Sequence, residues 1–125
     1  ASTVLKGGVV TYTNEAKATL LGIDPDVIET EGAVSYEVAA EMAENVRSIL
    51  RADLGVGVTG LAGPDGDGVH EVGTVFVSLA TENETFVKEL HLGSFRTRSF
   101  IRRMSGNHAY DMMRRRLTGL PVESI

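Results

Sequence analysis

The chain has 125 residues, 42% of them hydrophobic, with 17 acidic against 12 basic side chains and a formal net charge of −5. That length suits one domain able to bury its own core, and the absence of cysteine excludes disulfides, thiolate metal sites and a cysteine nucleophile within these residues. The acidic balance speaks against general affinity for nucleic acid. No apolar stretch approaches the roughly 20 residues of a membrane span, and no signal-peptide pattern opens the sequence, so the expectation is a cytoplasmic protein without a membrane partner.

The first predicted element is a strand over "VVTYT" (9–13), a β-branched run with Tyr12 near its end. A short helix follows in "NEAKATLLG", capped by Thr13 or Asn14 and stopped by Gly22. "DPDVIETEG" reads as one more helical turn, with Asp24 as cap and Pro25 at the first helical position. The clearest helix lies in "SYEVAAEMAENVRSILRAD", where Ser35 caps and Val38, Met42, Val46, Ile49 and Leu50 form one apolar stripe. "LGVGVTG" and "GTVFVSLAT" read as strands either side of a glycine-rich loop. "TFVKELHL" alternates, with Phe86, Lys88 and Leu90 opposite Val87, Glu89 and His91, as an edge strand does. A last helix runs from about Thr97 to Leu117, and Gly119 and Pro121 mark its stop. This order suggests an α/β sandwich with a mixed sheet.

The glycine loop is the first candidate site. Gly60, Gly63, Gly66, Gly68 and Gly73 fall within fourteen positions, just where a strand ends. No Gly-Lys-Ser/Thr follows, so this is not a P-loop, and the spacing is not that of a dinucleotide fold. "DGDG" matches the start of a calcium loop, but the twelfth position from Asp65 is Phe76, not glutamate. What remains is a strand end carrying Thr59 and Gly60, which is either a plain turn or a ligand edge. Tyr12 and Lys17 form the second candidate, at a strand end and in the first turn of the next helix. Lys17 is either a solvated cation or a base desolvated enough to lose its proton, with the Tyr12 hydroxyl relaying protons. His70, His91 and His108 share no metal-ligand spacing and read as surface or structural residues. Seven of the nine arginines lie between Arg96 and Arg116, as a solvated helix face or as groups facing an anion.

Three stretches, "GGVVTYTNEAKATLLGI", "GAVSYEVAAEMAENVR" and "GVTGLAGPDGDG…VGTVFVSLA", resemble the CinA C-terminal domain, the nicotinamide-nucleotide amidase family, with motif order and spacing intact from about residue 2 to residue 104. The resemblance implies hydrolysis of the carboxamide of nicotinamide mononucleotide to nicotinate mononucleotide and ammonia. It implies a serine nucleophile served by a lysine and a tyrosine, with no metal or cofactor, and a small-molecule nucleotide as the partner. Carried over residue by residue, the tyrosine is Tyr12 and the lysine Lys17. Thr59, with Gly60 beside it, matches a substrate contact, and Arg98 (or Arg96) matches an arginine near the phosphate.

The departures from the family pattern are specific. The family's nucleophile lies in an "E-S-C-T-G-G" segment, upstream of the region that "ASTVLKGG" matches, and residues 1–125 hold no such segment. Ser2 falls in a later stretch of the pattern and is not that nucleophile. The loop is one residue shorter than usual, with Val69-His70-Glu71 where Pro-Glu-Lys-Pro is typical. The expectation is therefore a single three-layer α/β/α domain with a mixed sheet of about four strands, lacking its N-terminal strand and nucleophile-bearing segment and inactive alone. The alternative is a nucleotide-binding or dimerisation module, with a homo-oligomer in prospect. An RNA-binding role for the arginine-rich end is disfavoured, since aromatic content is 6% and no stacking platform is evident.

Overall fold

The computed structural model describes residues 4–61, 67–93 and 97–122. Its elements run α1 (Asn14–Leu21), α2 (Pro25–Glu31), α3 (Tyr36–Leu50), β1 (Gly55–Gly60), β2 (Thr74–Ala80), β3 (Thr85–His91) and α4 (Arg98–Leu117). The helix boundaries follow local chemistry. Thr13 caps α1 by accepting from Ala16 N, Asp24 caps α2 by accepting from Asp26 N, and Thr97 caps α4 by accepting from Phe100 N. Gly22 ends α1 in the left-handed region at φ 65°. Ser35 Oγ accepts from Val38 N at 3.2 Å and donates to Gly32 O at 2.8 Å, so its hydroxyl is committed to the cap.

The three strands pair in the order β1-β2-β3, both pairs antiparallel. Pleating sends successive β2 side chains to opposite faces. Val75, Val77 and Leu79 pack against Ile101, Ala109 and Met112 of α4. Phe76 packs with Val34, Ala39 and Val87 on the other face, where Ser78 Oγ donates to Ala39 O at 2.5 Å. Both faces of β2 are therefore covered, and every one of its residues is buried. Helices α1 and α2 contact α3 rather than the sheet, with Leu21, Ile23, Ile28 and Val38 forming their shared cluster. The α/β class and the three layers stand as expected.

Two expectations change. Residues 9–13 form no strand and make no ladder bond among the described residues, so the described sheet is antiparallel where a parallel member was expected. Val9 is half-buried against the α1–α3 cluster while Val10 and Tyr12 are 75% and 88% exposed. The alternation is that of a strand, but no neighbouring strand of the described residues accepts its hydrogen bonds. The α3 stripe also moves. Val38 is buried, Met42, Val46 and Leu50 are half-buried, and Ile49 is 52% exposed. The residues that meet the sheet are Ala39 and Ala43, because β1 presents Gly55 and Gly57 to them: a Cβ on Gly57 would come within 2.8 Å of Ala39 O. Small faces small, and the helix backbone lies directly on the strand.

Candidate functional site

Lys17 is the fourth residue of α1 and shares a face with Leu21, one turn on. Burial of Leu21 against α2 and α3 therefore draws Lys17 inward, and the residue is 8% exposed. Its Nζ donates to Thr11 O at 3.3 Å, and no carboxylate pairs with it among the described residues. Desolvation holds the ammonium below the ordinary lysine range, which moves it toward the neutral amine a base must be. Thr11 precedes Tyr12, so the ammonium sits beside the tyrosine's backbone, while the Tyr12 ring projects into solvent.

Thr59 lies near the end of β1 on the α3 side of the sheet. It is 7% exposed, and its Oγ1 donates to Ala33 O at 2.7 Å, tying the α2–α3 turn to the strand. The hydroxyl hydrogen is thereby committed, and a ligand would find only its lone pairs. Gly60 is exposed, yet a Cβ there would come within 2.7 Å of the Val75 side chain, so the position demands glycine for the sake of β2. Arg98 is the first residue of α4 and is exposed.

The structure brings Lys17 together with the Tyr12 backbone, and Thr59 together with Gly60. One open depression is lined by Glu44, Arg47 and the Thr81–Thr85 turn, another by residues of α1 and α2, and neither includes Tyr12, Lys17 or Thr59. Helix α1 packs on α3, away from the sheet, and the 9–13 segment is unpaired among the described residues. Residues 62–66 of the glycine loop, Arg96 and Ser2 lie outside the described residues. No group of His, Asp and Glu suited to a metal ion occurs among the described residues, and no helix there is long and apolar enough to cross a membrane.

Sequence reasoning passed over His70. Its Nδ1 lies 3.4 Å from Asp67 Oδ2, and Asp67 Oδ1 accepts the backbone N–H groups of Val69 and His70 at 2.9 and 2.6 Å. The imidazole meets the Phe76 ring edge-on, with centroids 5.7 Å apart, and Phe76 is the cross-strand partner of Thr59. The signal available in the sequence was the Asp-x-x-His spacing of an Asx-type turn, which stands out only once Phe76 is known to lie beneath it.

Comparison with known proteins gives a consistent result. The profile of the CinA C-terminal domain matches residues 1–117. The chain is 48% identical over 124 residues to a competence-damage inducible protein of Caldanaerobacter subterraneus, covering 98% of this chain and 30% of that protein. A CinA-like protein of Desulfovibrio desulfuricans is 45% identical over 127 aligned residues, covering 99% and 30%. The chain thus spans about 30% of the length of these curated relatives. Among solved structures, the competence/damage inducible protein CihA of Agrobacterium tumefaciens aligns with a TM-score of 0.78 at 36% identity, over 83% of this chain and 64% of that one. The competence damage-inducible protein A of Klebsiella pneumoniae aligns with a TM-score of 0.83 at 25% identity, over 89% and 68%. Sequence profile, relatives and layered fold agree, and the chain belongs to the CinA C-terminal domain family.

Proposed function

We propose that this chain is part of a nicotinamide-nucleotide amidase, releasing ammonia from the carboxamide of nicotinamide mononucleotide. The observation that carries the reading is Lys17, a buried ammonium with lowered pKa and no carboxylate partner among the described residues, at the family's base position. A serine hydroxyl adds to the carboxamide carbon and gives its proton to the Lys17 amine. The tetrahedral adduct then breaks its C–N bond, and the proton passes to the leaving nitrogen, directly or through the Tyr12 hydroxyl, to give ammonia. Water repeats the addition on the acyl-serine, with Lys17 again taking the proton, and nicotinate mononucleotide leaves. Thr59, Gly60 and Arg98 hold the nucleotide in this scheme, with no metal or cofactor.

Residues 1–125 contain no match to the nucleophile motif, so these residues alone release no ammonia, whereas the same chain joined to an E-S-C-T-G-G segment does. An ammonia assay on both forms tests the reading, and full activity in the 125-residue chain overturns the assignment of the nucleophile. The second reading, a nucleotide-binding or dimerisation module without turnover, is favoured by the exposure of Tyr12, whose ring projects into solvent. Mononucleotide binding without ammonia release in the joined form decides for it.

A further inference from the structure

The end of β1 is a corner where three pieces of chain meet. Thr59 is tied to Ala33 of the α2–α3 turn, Phe76 of β2 lies beside Thr59 and packs on Val34, and His70 covers Phe76 from the loop. Asp67 is held below the usual carboxylate range, chiefly by the His70 N–H, with the Val69 N–H contributing too. An ionised carboxylate can only accept, so His70 Nδ1 carries the hydrogen and Nε2 faces away from Asp67. Nε2 has no partner among the described residues. Clamped between a carboxylate and an aromatic ring, the half-buried imidazole has its orientation set before any ligand arrives.

Thr59, Gly60, Phe76 and Val34 are uncharged, and the Thr59 hydroxyl hydrogen is already committed. In its doubly protonated form an imidazole held this way offers a charged N–H from Nε2 to an anionic oxygen. We propose that His70, positioned by Asp67, contacts the phosphate of the mononucleotide at the Thr59–Gly60 end of β1, an inference that rests on the amidase reading for the identity of the ligand. A purely structural role would need only the ring's contact with Phe76. The proposed role needs its nitrogen, and this difference can be measured.

Residues 1–125 contain three histidines, and the H70F variant assigns the His70 Hε1 resonance while keeping an aromatic ring against Phe76. Nicotinamide mononucleotide should move that resonance, and nicotinamide riboside, which lacks the phosphate, should not. By calorimetry, H70F should bind the mononucleotide about tenfold or more weakly with riboside binding unchanged. An unmoved resonance, or equal losses for both ligands, overturns the inference. A moved resonance in a protein that releases no ammonia once joined to its nucleophile segment leaves the contact standing and removes the amidase reading. Ammonia release with an unmoved resonance does the reverse.

Discussion

At Lys17 stability and function pull in opposite directions. The fold draws an ammonium out of water and gives it one carbonyl at 3.3 Å, so the charged form is disfavoured. Methionine keeps most of the aliphatic stem and drops the charge. Lys17→Met should leave the melting temperature unchanged or higher, while turnover in the form joined to its nucleophile segment falls far more than binding does. The pH dependence follows. The folded value lies below 10.5, so the unfolded chain binds more protons between the two values, and stability rises with pH across that window. The methionine variant should lack that rise in urea melts between neutral and alkaline pH. Arg51 gives a second residue-scale prediction. It ends α3 in the left-handed region at φ 51°, where a side chain costs about 1 kcal/mol. Its backbone carbonyl, not its guanidinium, accepts from Lys6 Nζ. Arg51→Gly should therefore stabilise by about 0.5 kcal/mol, after the entropy glycine returns to the unfolded chain, as read by denaturant midpoint.

Between elements, the contact of α3 with β1 depends on positions that have no side chain. A Cβ on Gly57 would meet Ser78 Oγ at 2.6 Å, Ala39 O at 2.8 Å and Met42 Cβ at 2.9 Å, all in a buried seam. Gly57→Ala should cost about 3 kcal/mol by forcing helix and strand apart, with a matching drop in the denaturant midpoint. This seam also shows why the sequence was legible in part. Caps and stops such as Thr13, Gly22, Asp24, Ser35 and Thr97 act within a few residues, so the helix boundaries could be read directly. Which face of α3 meets the sheet depends on glycines in β1, distant in sequence, and a rule that follows large apolar residues chooses Ile49 over Ala43. The 9–13 run shows the same limit, because alternation signals strand propensity but not the presence of a partner. The candidate site residues came from family resemblance and not from local pattern, whereas the Asp67–His70–Phe76 arrangement needed the β1–β2 register. On the other face, His108 of α4 lies near Lys88 of β3. Desolvation lowers its pKa first, Lys88 adds to this, and Asp111 opposes both. The folded value is below 6.5, so stability should fall as pH drops through the window between them, and His108→Gln should remove that component of acid unfolding.

The whole molecule is electrically two-sided. Helix α4 carries six arginines against Asp111, or +5, while residues 14–50 carry eight acids against Lys17 and Arg47, or −6, with the sheet between. Arg102, Arg103, Arg114 and Arg116 are exposed along α4, and of these only Arg114 is paired with a carboxylate, Asp111, among the described residues. The net charge of −5 therefore describes neither face, and the local potential over α4 is positive within a Debye length of about 10 Å at 0.1 M salt. At pH 7 and low ionic strength, the chain should be retained on a cation exchanger despite a sequence pI of about 5.1. It should elute at modest salt, because exposed charges are readily screened. Replacing Arg102 and Arg116 with glutamine should abolish that retention while leaving the melting temperature nearly unchanged, since neither side chain is buried. Flow-through of the unaltered chain at low salt would mean that the acidic face dominates the field even over α4, and that the helix presents no usable anion-binding surface.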